Sequence, residues 1–336
     1  MSYKFNLETF NNLIGEISKN YDIYAPMRCV GSGRFSDTDL IRYGQIKNAS
    51  DIVPDVKSNF SPKEIIFPIN ETLFYFTEDD YREPKSSTRK ILIFLRACDI
   101  QGFERLDQIF LNNSDNEDFY YKRIRERVSF ALLECRESFD NCFCASMGCN
   151  TADDYSFALR FTDKNVLLEM KDSNFDKYFD GYSNDCNFKP EQIATNSETL
   201  NVPDLAETDI NVLYDEKFWE EYKSRCIGCG RCNTTCITCN CHSTCDIFYD
   251  DNCNVGERTR TWSSCQVDGF TDMAGGMSFR KDYGARMRYK VLHKILDFKK
   301  RFGTHMCVGC GRCDDNCPEY ISYLNCLKKL DKLQEK

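Results

Sequence analysis

Histidine is scarce: His242, His293 and His305 are the only three in 336 residues, too scattered to suggest a general base with its orienting partner. His305 stands two residues before Cys307, which suits hydrogen bonding beside a metal ligand better than ligation itself. Excess positive charge is also missing. The net charge is −9 and the isoelectric point near 5.1, which excludes nucleic acid as a partner of the chain as a whole. No apolar stretch approaches the roughly 18 residues of a membrane-spanning helix. The strongest run, Ile91 to Leu95, reads as a buried strand. The opening MSYKFNLETFNNLIGEISKN lacks the charged and apolar regions of an export signal. A soluble, cytoplasmic protein without membrane contact is the expectation. A dinucleotide fingerprint is absent too: CVGSGRFSD offers Gly31 and Gly33 but Ser36 in the third position, and reads as a turn. MAGGMSFR is no closer to one. Nothing marks a catalytic residue, an organic-cofactor site or a substrate site of the chain's own.

Cysteine is what the chain has in excess, 21 in all. An odd number in a long chain without an export signal argues against a disulfide framework and for metal binding or redox chemistry. The distribution is uneven. Cys29 stands alone before residue 98, then Cys98, Cys135, Cys142, Cys144 and Cys149 follow, and after Cys186 the remaining fourteen fall between 226 and 326.

The expected fold class is α+β, with a strand-rich domain over 1–209 and a helical, ferredoxin-like domain over 210–336. In the first part, short apolar runs alternate with turn-forming residues: EIIFPIN, TLFYFTE, KILIFLRAC, VSFALLEC, FALRFTD and NVLLEM read as strands, and Ile100 to Phe110 as a helix. Lys171 to Thr208, rich in Asp, Asn, Ser and Glu, reads as irregular surface or a connection. In the second part, DEKFWEEYKSR and DYGARMRYKVLHKILDFKKRFG precede the two main cysteine runs and read as helices. Met287, Val291, Leu292, Ile295 and Phe298 fall at helical spacing, with Gly303 as the stop. The basic residues of this helix suit a solvated face, an RNA site, or cations that offset the negative charge of iron–sulfur clusters.

Two runs carry the chemistry. Cys307, Cys310, Cys313 and Cys317, followed by Pro318, give C-x2-C-x2-C-x3-C-P, the spacing of a [4Fe–4S] ligand run. Two-residue gaps let a curled loop aim three sulfurs at three corners of one cubane, and the fourth cysteine leaves in another direction. Zinc knuckles separate their C-x2-C pairs by a dozen or so residues. Cys226, Cys229, Cys232 and Cys236 repeat the pattern, with Ile237 in place of the proline. In paired-cluster ferredoxins the fourth cysteine of each run ligates the other run's cluster. The expected sets are therefore Cys226, Cys229, Cys232 and Cys317 for one cluster, and Cys307, Cys310, Cys313 and Cys236 for the second. Cys239 is the alternative to Cys236. Cys239, Cys241 and Cys245 could also form a zinc or additional iron site with Cys265, or be free thiols, and Cys253 has no assigned role. Cys98, Cys135, Cys142, Cys144 and Cys149 follow apolar strand-like runs. Spacing alone leaves them open between a metal site and core thiols.

The combination CIGCGRCNTTCITCNC, ERTRTWSSC, GGMSFR, RMRYKVLHK and CVGCGRCDDNCP, with FPINETLFYF, LRACDIQGFERLD and CFCASMG upstream, resembles the electron-carrying subunit of the bacterial anaerobic sulfite reductase complex. More distantly, it is similar to the β subunit of cytoplasmic [NiFe] hydrogenases, the sulfhydrogenases. The resemblance runs from about residue 60 to the end. It implies a carrier of single electrons, placed between a flavin subunit that oxidises NADH or NADPH and a sirohaem subunit that reduces sulfite to sulfide. It also implies a third [4Fe–4S] cluster on Cys98, Cys135, Cys142 and Cys144, with Cys149 outside the set or substituting within it. Two alternatives remain: the hydrogenase β subunit, which needs the same wire, and a zinc-stabilised scaffold or regulator, in which metal serves folding alone.

Overall fold

The computed structural model describes residues 1–183, 186–215 and 217–333. Eleven strands are described: β1 (Ser2–Asn6), β2 (Tyr21–Cys29), β3 (Leu40–Gln45), β4 (Asn70–Phe76), β5 (Tyr81–Arg82), β6 (Lys90–Leu95), β7 (Val128–Leu133), β8 (Phe157–Phe161), β9 (Asn165–Met170), β10 (His242–Phe248) and β11 (Gly256–Trp262). Seven form one sheet in the order β1-β9-β8-β7-β6-β2-β3. Its inner pairs β2–β6, β6–β7 and β7–β8 are parallel and its outer pairs antiparallel.

The apolar run at Ile91–Leu95 is explained by what covers it. Successive side chains point to opposite faces. Leu92 and Phe94 meet Phe10, Leu13, Ile14 and Ile17 of the helix Leu7–Ser18, while Ile91, Ile93 and Leu95 meet Ile100, Phe103 and Leu106 of the helix Ala97–Phe110. A parallel sheet with both faces buried needs no polar alternation. The N-terminal part is thus strand-rich, with mixed α/β layering, and the expected helix at 100–110 begins one turn earlier, at Ala97.

One expected strand does not form. At EIIFPIN, a 3-10 turn Pro62–Ile65 takes in the first two residues, Ile66 and Phe67 plug the core, and β4 starts only at Asn70. Pro62 and Pro68 flank the apolar residues and remove backbone donors that a ladder would use.

Packing runs straight across the expected boundary at 209/210. Strands β10 and β11 make a hairpin that extends β4 and β5 into a four-stranded sheet, so the C-terminal part is not purely helical. Ile237, Val308 and Cys310 belong to the same apolar core as Ile100 and Phe103. Ile237 takes the place of the missing proline for a visible reason. It is fully buried against Gly102, where a Cβ would meet Ile237 Cγ1 at 2.5 Å.

The expected basic helix forms from Asp282, whose side chain caps Ala285 N–H, to Gly303 at φ 76°. It comprises α-helix Tyr283–Leu292, a π-helical turn His293–Asp297 and α-helix Phe298–Phe302. Met287, Val291, Leu292, Ile295 and Phe298 are all buried. DEKFWEEYKSR is broken into a 3-10 turn Lys217–Trp219 and a helix Glu220–Arg225; its Glu216, like Asn184 and Asp185 of the acidic connection, lies outside the described residues. Among the described residues no helix is long and apolar enough to cross a membrane.

Candidate iron–sulfur centres

Ligands of open parallel sheets collect beyond the carboxyl ends of the strands. Strands β6 and β7 end side by side there, and each runs on into a cysteine: β6 through Arg96 to Cys98, β7 through Glu134 to Cys135. The loop after β7 returns Cys142 and Cys144 to the same place, so that Cys98, Cys135, Cys142 and Cys144 line one small cavity with Arg96, Lys57 and Asn196. Asn196 fixes the loop by accepting from Ala145 N–H at 2.8 Å, and its amide lies 3.7 Å from Cys144 Sγ. Burial pushes the Cys144 thiol up to about 12. Cys149 does not line the cavity. It is fully buried, with Arg105 Nη2 3.7 Å from its sulfur.

The two C-terminal runs fold as near copies. Each ends its curl in two left-handed glycines, Gly228 and Gly230 at φ 67° and 73°, Gly309 and Gly311 at 68° and 72°, a region open to glycine at little cost. Each then enters a one-turn helix, Arg231–Thr234 or Arg312–Asp315. Gly228 N–H and Gly309 N–H point at Cys226 and Cys307 Sγ, at 3.4 and 3.5 Å. Sulfurs of the two runs lie side by side. Cys226, Cys229 and Cys232 line a cavity with Cys317, while Cys236 lies in the electrostatic neighbourhood of Cys307, Cys310 and Cys313. Cys239 neighbours Cys236, and Lys294 lies among Cys236, Cys239 and Cys307.

The three groups stand in series. Cys310 lines the cavity of Cys98, Cys135, Cys142 and Cys144, and its carbonyl lies 3.3 Å from Cys142 Sγ. Cys313 lines the cavity of Cys226, Cys229, Cys232 and Cys317. The group containing Cys236 therefore borders both others. Cys229, alone among these twelve cysteines, is exposed.

The donors suit cubanes. All are soft sulfur, the ligand type of iron–sulfur clusters. Among the described residues no three His, Cys, Asp or Glu side chains converge closely enough to hold a single ion, as a zinc site would require. Buried cations face the sulfurs. Burial pushes Lys290 down, but Cys232 and Cys313 outweigh it and hold the ammonium above its usual range. Lys294 Nζ is 3.6 Å from Cys236 Sγ, and Lys57 Nζ is 3.7 Å from Cys142 Sγ. Lys290 and Lys294 thus face inward from the basic helix, whereas Lys300 and Arg301 face solvent.

The Tyr323 hydroxyl is buried without a protein partner and faces Cys307 and Cys313. A cluster sulfur there would satisfy it, removing the cost of a buried orphan donor. Such a hydrogen bond stabilises the more negative, reduced cluster. Tyr323→Phe is therefore expected to lower a midpoint potential in an EPR-monitored redox titration, with the fold intact. An unchanged potential would remove Tyr323 from the cluster's surroundings.

Sequence reasoning missed the link between the groups. Arg312, between Cys310 and Cys313, is buried and makes two bonds to Asp99, at 2.6 and 2.7 Å, and two to Ser58. Asp99 follows Cys98 directly, so this pair locks the two cysteine loops together. Arg231, its counterpart in the repeat, is exposed. Lys57 adds a second tie, to Asp315 at 2.6 Å and to the carbonyl of Cys310. Gly309 and Gly311 allow the close approach itself, because a Cβ on either would meet the backbone of Asn141–Cys144 at 2.3–2.7 Å. The adjacency of Cys98 to Asp99 and of Arg312 to Cys313 was the only signal. The remaining thiols divide. Cys326 is a core thiol beside Tyr222, Cys245 and Cys253 are exposed, and Cys239, Cys241 and Cys265 sit together.

Comparison with known proteins agrees with this chemistry. Residues 225–321 match the family described as 4Fe-4S dicluster domain. The chain is 27% identical over 345 aligned residues to the sulfhydrogenase 2 subunit beta of Pyrococcus furiosus, covering 99% of this chain and 98% of that protein. No solved structure matches. The chain carries [4Fe–4S] clusters and is an iron–sulfur electron-transfer subunit.

Proposed function

We propose that this chain relays single electrons through three [4Fe–4S] clusters, held by Cys98/Cys135/Cys142/Cys144, Cys236/Cys307/Cys310/Cys313 and Cys226/Cys229/Cys232/Cys317, within an anaerobic sulfite reductase complex. A flavin subunit takes hydride from NADH or NADPH, and a sirohaem subunit reduces sulfite to sulfide. The reading rests on three groups of four cysteines in series, each sharing an edge with the next. The clusters supply one-electron redox chemistry when bound. The chain's own residues do the rest: Lys57, Lys290 and Lys294 offset the added negative charge, and the buried core keeps water from the middle group.

The choice of terminal partner follows the pattern of motifs along the chain. A second reading, the electron-transfer subunit of a [NiFe] hydrogenase, is favoured by the full-length likeness to the sulfhydrogenase protein. Anaerobic purification of the native complex separates the two. The sulfite reading expects a sirohaem chromophore in the co-purifying partner and at least about 12 iron atoms per copy of this chain, from three cubanes. Stoichiometric nickel without sirohaem would overturn it in favour of the hydrogenase. Zinc without iron would overturn both.

A further inference from the structure

The three clusters leave Cys239, Cys241 and Cys265 unused, and the fold brings these together. Cys239 and Cys241 lie on the turn entering β10, and Cys265 lies just beyond β11. The hairpin register pairs His242 with Trp262, and Ser263 N–H donates to the Cys241 carbonyl at 2.9 Å, so the base of the hairpin delivers both segments to one place. The Cys241 thiol lies between the other two, within hydrogen-bonding reach of each. Cys239 and Cys265 are buried, and Cys241 is partly exposed. Among the described residues no three metal-binding side chains converge on one ion, so the contact here is of thiol with thiol.

The surroundings favour sulfur that carries charge. The buried Asn233 side chain donates to Cys265 Sγ at 3.1 Å, and Gln266 Nε2 lies 3.8 Å from the same sulfur. The bond from the Cys241 thiol, and then that from Asn233, hold Cys265 below the usual thiol range against the effect of burial. Buried Lys63 donates to the carbonyls of Cys239 and Asn233, at 2.8 and 3.2 Å, and sits 4.0 Å over the Trp262 ring. A core cysteine that only packs behaves as a small hydrophobe and has no use for an amide donor or an ammonium group. A thiolate is the reactive form in disulfide chemistry, and amide donors and a cation favour it.

The thiols also stand between Cys232 and Cys236, which are assigned above to two different clusters. Asn233 links Cys265 to Cys232, whose Sγ lies 3.8 Å from Asn233 Oδ1. On the other side Cys239 neighbours Cys236. A cubane exchanges one electron at a time, whereas closing a disulfide releases two. We propose that Cys241 and Cys265 form a reversible dithiol/disulfide couple that stores two electrons beside the relay. On oxidation the two thiols lose two protons and one S–S bond forms; one electron passes to the cluster at Cys232 and one to the cluster at Cys236. On reduction two electrons return, the S–S bond breaks, and each sulfur takes up a proton from solvent, which reaches the pair at the partly exposed Cys241. Redox-active protein dithiols have potentials inside the range that such clusters span, so exchange is open in both directions. The relay then holds two electrons more than its clusters carry.

The proposal rests on the iron–sulfur reading of the chain, and one experiment distinguishes their failures. The anaerobically purified complex is equilibrated with one-electron dyes of high or of low potential. It is then trapped with N-ethylmaleimide in denaturant, and its cysteines are mapped by mass spectrometry. A Cys241–Cys265 linkage is expected with the oxidising dye, and two alkylated cysteines with the reducing dye. In a coulometric titration the Cys265→Ser complex is expected to take up two electrons fewer per chain than the native complex, with the EPR signals of its clusters unchanged. Free Cys241 and Cys265 under both dyes, a linkage to Cys239 in place of Cys265, or a linkage that only an added thiol reduces would overturn the proposal and leave the relay intact. A chain that purifies without iron would overturn the wider reading, and the proposal with it. If Cys265→Ser fails to fold, the mapping of the native chain decides.

Discussion

Arg312→Met is expected to destabilise the protein by about 3–5 kcal/mol, the cost of stranding a buried charge. Asp99 is fully buried, and its carboxylate takes both oxygens' strongest bonds from the Arg312 guanidinium. Without that fork it retains the Tyr43 hydroxyl at 3.4 Å as its remaining side-chain partner. Removing both charges with shape-matched apolar residues is expected to cost less than removing one, since neither partner is then stranded. Arg231→Met, at the equivalent place in the repeat, is expected to stay within about 0.5 kcal/mol because Arg231 is exposed. Anaerobic denaturation of the cluster-loaded chain, followed by visible absorbance and circular dichroism, measures all three. Equal effects at Arg312 and Arg231 would show that the buried pair is not what joins the two halves.

The second large effect is functional. Cys310→Ser is expected to remove or degrade the middle cluster and reduce NAD(P)H-linked sulfite reduction to background, while the sirohaem partner, reduced separately, still turns over sulfite. Cys310 is 8% exposed and stands where the middle group meets the cavity of Cys98, Cys135, Cys142 and Cys144. A serine oxygen is a harder, poorer ligand for iron–sulfur clusters than a thiolate. Cys245→Ser, on the exposed hairpin, serves as the control and is expected to leave the rate unchanged. A normal NAD(P)H-linked rate in Cys310→Ser would mean that electrons bypass the middle group.

The iron–sulfur character of the two C-terminal runs was legible because their spacing is short-range geometry. Two-residue gaps dictate a curl, and the two curls form as near copies. Strands β6 to β9 were legible from apolar runs between turns. The elements before residue 60 carried weaker patterns and went unassigned, and the strand expected at EIIFPIN gave way to proline chemistry. What could not be read were contacts between distant segments. Nothing in the sequence pairs Arg312 with Asp99, Ile237 with Gly102, or β11 with β4, since each joins residues more than a hundred positions apart. For the same reason the expected division at 210 foretold a change in composition and not the shared core. Cys239, Cys241 and Cys265 lay between these cases. Their number was plain, but only the hairpin register explains why they meet.

The central claim is that electrons from NAD(P)H pass through this chain to sulfite. Rapid-mixing absorbance of the anaerobic complex tests it most directly. NAD(P)H should bleach the visible absorbance of the clusters, and sulfite added afterwards should restore it at the rate at which sulfide appears. Sulfide formed while the clusters stay bleached, or clusters reoxidised only with release of hydrogen, would contradict the account.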